Sequence, residues 1–230
     1  MTGGNRMKVS DIRLEFAKKY TASDITVDAK GNKTYEILGA SFIADEPFIF
    51  GEVNHEYVNA EIKWYESESL NINDIYNGVK PPPKAWTLSA DKYGNINSNY
   101  GHLIFSKKYW NQYQNALVEL KNNPSSRRAT MIYTRPSIWN EYNENGKSDF
   151  ICTNAVTYYI RNDALHAVVQ MRSNDVVYGY RNDYAFQMYI LNAMSEVLNV
   201  PVGTLHWQVQ SLHVYEKHFK LVEQFVMEKL

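Results

Sequence analysis

The sequence predicts an α+β fold, and three observations predict it. Strand and helix periodicities both recur along the 230 residues but never in strict alternation, which argues against a doubly wound parallel sheet. Two apolar strand patterns, over 150–160 and 165–173, flank the turn Arg161-Asn162-Asp163-Ala164, as an antiparallel pair requires. No internal repeat or low-complexity tract divides the chain, so its length suits one domain over residues 1–230.

The elements follow in order. Ser10 is placed to cap a helix over 11–20, where Ile12, Phe16 and Tyr20 recur every four residues. Residues 30–33, KGNK, read as a turn before a strand over 34–44, with Gly39 a bulge where another backbone comes close. A helix fits 55–67, with Val58, Ile62 and Tyr65 on one face and Glu61 beside it. Residues 71–99 are rich in Asn, Gly and Pro and form a long irregular stretch of the kind that is often functional. A helix over 107–123 is stopped by Pro124, and a strand over 128–136 by Pro136. After the antiparallel pair come a helix over 182–199, a strand over 204–215 and a closing helix over 217–229.

Charge narrows the function classes. With 24 Lys+Arg against 25 Asp+Glu the formal net charge is −1, so no chain-wide field attracts nucleic acid or an anionic membrane. Any anionic ligand must be held by local arginines. A lone cysteine and the polar opening MTGGNRMKVSD predict a cytoplasmic protein without disulfides, and no apolar run approaches the roughly 20 residues that span a bilayer. The 18 tyrosines suit large polar-rimmed surfaces, at a cleft or between subunits. No HExxH, CxxC or clustered carboxylates argue for a metal, and no Gly-rich loop argues for a nucleoside triphosphate.

Four groups carry candidate chemistry. Cys152 is either a small buried hydrophobe or a nucleophile. Arg127 and Arg128, where a turn feeds a strand, are either a solvated pair or a phosphate clamp. Residues 170–187 gather Arg172, Ser173, Asp175, Arg181, Asn182 and Asp183 around Gly179, either a surface loop or an anion cradle at a helix start, and Asp183 suits a first helical turn on charge alone. His213 and Tyr215 share one face of a strand, which suits two hydrogen bonds to one sugar hydroxyl, although a structural histidine is the commoner outcome.

Taken in order, SRR, a cysteine opening a strand, RSNDVVYGYRND and HVY resemble the thymidylate synthase family from about Gly39 to Phe219. GASFIADEPFIFG, INSNYG and MIYTRPS lean towards its deoxycytidylate-hydroxymethylating branch. The resemblance implies a mixed, mostly antiparallel sheet flanked by helices, through which two copies form an obligate homodimer. It makes Cys152 the nucleophile on pyrimidine C6. It puts Arg172 and Ser173 on the 5′-phosphate, with Arg127 and Arg128 crossing from the other subunit and Lys33 standing in for a further phosphate cation. His213 and Tyr215 would hold the sugar 3′-hydroxyl, Glu61 would organise water and proton transfer, and Tyr100 would lie near the C5 proton. Trp86, Asp175 and Gly179 would border the co-substrate, 5,10-methylenetetrahydrofolate, with Asp175 also serving the nucleotide.

Two positions depart from the family pattern. Thr153 follows the cysteine where the synthases usually carry histidine. Asp183 stands where uracil-using synthases carry asparagine, and a carboxyl group can accept from cytosine N4–H and, when protonated, donate to N3. The expected reaction is therefore 5-hydroxymethylation of deoxycytidylate (dCMP). The alternatives are methylation of dCMP, hydroxymethylation of the ribonucleotide, and a nucleotide-binding module without catalysis. Arginine charge near Cys152 is expected to favour its thiolate.

Overall fold

The computed structural model describes residues 6–28 and 31–229. The polar opening through Asn5 and Lys30 of the expected turn lie outside the described residues. The chain folds as α1 (Val9–Thr21), β1 (Thr26–Val27), β2 (Lys33–Ile43), α2 (His55–Glu66), α3 (Lys84–Ser89), α4 (Tyr100–Phe105), α5 (Gln112–Asn122), β3 (Thr130–Ile132) and α6 (Ile138–Glu141). Then follow β4 (Thr153–Arg161), β5 (Ala164–Asp175), α7 (Gly179–Leu198), β6 (Val202–Tyr215) and α8 (Phe219–Lys229). The strands form one sheet in the order β1-β2-β6-β5-β4-β3. Every pairing is antiparallel except β5 with β6, which α7 joins as a crossover. The α+β expectation holds.

The expected β4–β5 hairpin forms because Asn162 and Asp163 both adopt positive φ (51° and 59°), the two-residue turn that matches strand twist. α1 buries Val9, Ile12 and Phe16, but it starts two residues early. Ser10 therefore lies inside the helix, and the cap comes from Asp11, which accepts from the Lys8 N–H at 2.8 Å. The expected helix over 107–123 is broken at Trp110 and Asn111, both left-handed, and Asn111 caps the shorter α5 by accepting from the Gln114 N–H at 3.1 Å. β3 keeps only three residues of the strand expected over 128–136, because Tyr133 and Thr134 both turn their N–H groups to one carbonyl, that of Asn154. The irregular stretch over 71–99 holds α3 and a 3-10 turn, Ile72–Tyr76, anchored by buried Ile72 and Ile75.

One irregularity shapes the site. Buried positions on β5 fall at Leu165, Ala167, Val169 and Met171 and then at Asn174; on β6 they fall at Leu205, Trp207 and Val209 and then at Leu212. Pairing skips Gly39 on β2, Gln210 on β6 and Arg172 on β5 without a change of register. Three adjacent strands thus kink at one level, and each reverses which of its residues face inward. Gly39 takes a positive φ of 67° there, and no other backbone of the same chain comes within 4 Å of where its Cβ would stand.

Helices cover one face of the sheet, with Tyr65, Tyr100, Tyr133 and Phe186 meeting in an aromatic cluster behind the site. On the other face Ser41, Gln208 and Gln170 stand side by side in register and exposed. Among the described residues no helix is long and apolar enough to cross a membrane.

Candidate active site

Cys152 sits one residue before β4, and its carbonyl accepts the Arg172 N–H at 2.9 Å across the kink. The Arg172 side chain turns back over this segment. Its Nε donates to the Ile151 carbonyl at 3.0 Å, its Nη2 donates to the Phe150 carbonyl and lies 3.5 Å from Cys152 Sγ, and its guanidinium stacks on the Phe150 ring. Burial pushes the Cys152 thiol up to about 11, against the pull of Arg172. Arg172 thus favours the thiolate as expected, but desolvation outweighs it and the net shift is upward.

The carboxylates come from two helices. α2, capped by Asn54 on the Tyr57 N–H, projects Glu61 inward, where only 5 % of it remains exposed. Tyr57 Oη, one turn earlier, donates to Glu61 Oε1, and Trp86 Nε1 donates to Tyr57 Oη at 2.7 Å and to Glu61 Oε1 at 3.3 Å. Burial still pushes Glu61 up to about 7, because two neutral donors do not replace water.

Asp183 lies in the second turn of α7 rather than its first, since the helix begins at Gly179. Its carboxyl accepts from Asn174 Nδ2 at 2.8 Å, and burial, with the Glu61 charge nearby, holds it well above the usual carboxylate range. Tyr100, the first residue of α4, feels the charges of both Asp183 and Cys152, and its hydroxyl accepts from Thr153 Oγ1 at 2.9 Å. Gly101 lets α4 touch the end of α2, for a Cβ there would lie 1.8 Å from the Tyr65 carbonyl oxygen.

Buried Asp149 ties two of these elements together. It accepts from the Asn97 and Ser98 N–H groups and from Ser98 Oγ, joining the turn before Tyr100 to the segment before Cys152. At the other edge, the Asp175 carboxylate accepts from the N–H groups of Val177, Tyr178 and Gly179 at 2.9–3.4 Å and so caps α7. Tyr215, whose ring meets His213 edge-on, is close enough to feel the charges of Asp175, Cys152 and Arg172.

A profile of the thymidylate synthase family matches residues 50–229. The chain belongs to the thymidylate synthase family. It is 50 % identical over 226 residues to a deoxycytidylate 5-hydroxymethyltransferase of Enterobacteria phage T4, covering 95 % of this chain and 91 % of that protein, and equally so to the phage T2 protein of the same name. A thymidylate synthase of Bacillus subtilis subsp. natto is 28 % identical over 167 residues, 69 % of this chain and 56 % of that protein.

The fold of this family member thus gathers Cys152, Glu61, Tyr100, Arg172, Ser173, Asp175, Gly179, Asp183, His213 and Tyr215 around one end of the sheet, with Trp86 against Glu61. Arg127 and Arg128 lie elsewhere in the same chain. Both are exposed, Arg128 pairs with Glu119 at 3.0 Å, and they enter β3 beside the far end of β4, roughly 20 Å of strand from Cys152. Lys33 pairs with Glu216 at 3.1 Å, next to Tyr215. Tyr57, Asn174 and Asp149 are site neighbours that the sequence reading missed. Tyr57 was findable, being four residues before Glu61 on one helix. Asn174 and Asp149 carried no signal, because only tertiary packing brings them to their partners.

Proposed function

We propose that the chain is a deoxycytidylate 5-hydroxymethyltransferase, the activity that names its phage relatives, and that it acts as a homodimer, as the family resemblance implies. The observation that carries the reading is Asp183, whose carboxyl is held by Asn174 Nδ2 at 2.8 Å and is pushed well above the usual carboxylate range by burial, with the Glu61 charge nearby. A neutral carboxyl offers a donor to cytosine N3 and an acceptor to the N4 amino group.

In this reading Cys152 Sγ gives up its proton and bonds to pyrimidine C6. Entry of the nucleotide draws Arg172 from the Phe150 and Ile151 carbonyls to the 5′-phosphate, while Ser173 and the arginines Arg127 and Arg128 of the second copy complete the anion site. Asp183 donates to N3 as electron density enters the ring, so C5 becomes nucleophilic without building charge on an unsupported nitrogen. Tyr100, its oxygen held by Thr153, faces the C5 proton that is lost. Methylenetetrahydrofolate, the one-carbon donor of the family, would supply the carbon: C5 would bond to its CH2 unit, and loss of the C5 proton with cleavage of the folate N–CH2 bond would release tetrahydrofolate and leave an exocyclic methylene. Trp86 fits such a ligand: its Nε1 is committed to Tyr57 and Glu61, which leaves its ring surface for stacking on a flat pterin, with Asp175 and Gly179 at the rim. Glu61 orders the water that adds to the exocyclic methylene and takes one of its protons; the pull of burial towards about 7 suits that transfer. Breaking the Sγ–C6 bond frees the product. His213 and Tyr215 hold the sugar 3′-hydroxyl, and Lys33 adds positive charge near the phosphate.

Mass spectrometry of the products from dCMP, CMP and dUMP with methylenetetrahydrofolate tests this. Addition of CH2O to dCMP supports it. Addition of CH2, or preference for CMP or dUMP, overturns it.

A further inference from the structure

A neutral carboxyl by itself does not choose cytosine. With its proton on the oxygen facing N3 it matches cytosine, which accepts at N3 and donates from N4. With its proton on the other oxygen it matches uracil, which donates from N3–H and accepts at O4. Discrimination therefore needs something that fixes which oxygen bears the proton.

The structure holds such a device next to Asp183. Asn174 is buried at the kink of β5. Trp207 Nε1 donates to its Oδ1 at 3.2 Å, and an indole N–H can only donate, so the amide is oriented with its NH2 group towards Asp183. Nδ2 then donates to Asp183 Oδ2 at 2.8 Å. A carbonyl oxygen accepts this bond more strongly than a hydroxyl oxygen does, so the bond favours the form of the acid with its proton on the other oxygen, Oδ1. Gly179 leaves room for the pair, since a Cβ there would lie 2.9 Å from Asn174 Nδ2 and 3.8 Å from Asp183 Oδ2.

We propose that Asn174, oriented by Trp207, is a specificity-determining positioning residue that keeps the Asp183 proton on Oδ1, so that Oδ1–H donates to cytosine N3 while Oδ2 accepts from N4–H. The inference rests on the reading of Asp183 as the base-contacting group. Uracil in the same pose would set its O4 against Oδ2, an acceptor without a proton, and its N3–H against Oδ1–H. Without Asn174 the proton can sit on either oxygen and uracil finds a matching form of the acid.

The test compares kcat/KM for dCMP and dUMP, read as release of the C5 hydrogen from 5-tritiated nucleotides, in wild type, Asn174→Ala, Asn174→Ser and Asp183→Asn. Loss of Asn174 is expected to lower the dCMP to dUMP ratio about ten- to a hundredfold, with dUMP turnover rising above the wild-type level. Equal losses on both substrates, as from a merely structural residue, overturn the proposal. The serine variant, whose smaller hydroxyl can rotate to donate to Asp183, is expected to keep part of the preference; it also carries the comparison should the alanine variant not fold. Asp183→Asn separates the two levels of argument. An unchanged preference in that variant refutes the base contact itself, whereas a shift there with none in either Asn174 variant refutes only the role of Asn174.

Discussion

Replacing Glu61 by glutamine should stabilise the protein at neutral pH and not in acid. Burial lifts this carboxyl from its ordinary 4.5 to about 7, with only Tyr57 and Trp86 as donors. Between those values the folded chain holds a proton that the unfolded chain has released, so the stability Glu61 contributes is full below 4.5 and is lost as the pH rises through about 7. The rise spans roughly 2.5 pH units at about 1.4 kcal/mol each, a cost of about 3 kcal/mol once the group is ionised in a site where it is 5 % exposed. Glutamine keeps the shape and the acceptor oxygen and does not ionise. Urea denaturation of both proteins at pH 5, 6, 7 and 8 should show Glu61→Gln gaining on wild type steadily between pH 5 and 7, by roughly 2–3 kcal/mol, and keeping that lead nearly constant from pH 7 to 8. Parallel stability curves over the whole range would refute the reasoning, for they would mean that Glu61 is as well solvated folded as unfolded.

Iodoacetamide should alkylate Cys152 slowly at pH 7 and faster as the pH approaches about 11, and Arg172→Ala should move the rise to still higher pH, since burial raises the thiol and Arg172 alone opposes it; full reactivity at pH 7 would contradict this. Gly101→Ala should cost at least about 2–3 kcal/mol in urea denaturation, because a Cβ placed 1.8 Å from the Tyr65 carbonyl must push α4 off α2. Under the proposed homodimer, mixing Cys152→Ser with Arg127→Ala subunits should restore about a quarter of wild-type turnover, since half of the dimers would be mixed and one site in each would be whole; no recovery after subunit exchange would refute a role for Arg127 in a neighbour's site.

What the sequence made legible is what periodicity records. The β4–β5 hairpin, α2 with Glu61 beside its apolar stripe and the closing helix all follow from apolar spacing and turn residues, and the motif order exposed the family. The helix over 107–123 failed because spacing does not register a local backbone reversal such as that at Trp110 and Asn111. Asn174 escaped notice for a related and more consequential reason. Strict alternation continued from buried Met171 would bury Ser173 and expose Asn174, whereas the kink shared by β2, β6 and β5 does the opposite. Arg172 and Ser173 are thereby left half-buried at the open end of the sheet, where a phosphate can reach them, while Asn174 turns inward to Trp207 and Asp183. No single strand encodes that reversal, because it depends on three strands skipping a pair at the same level. The same distortion thus separates Arg172, the group proposed for the phosphate, from Asn174, the group proposed to orient Asp183, although the two are only two residues apart.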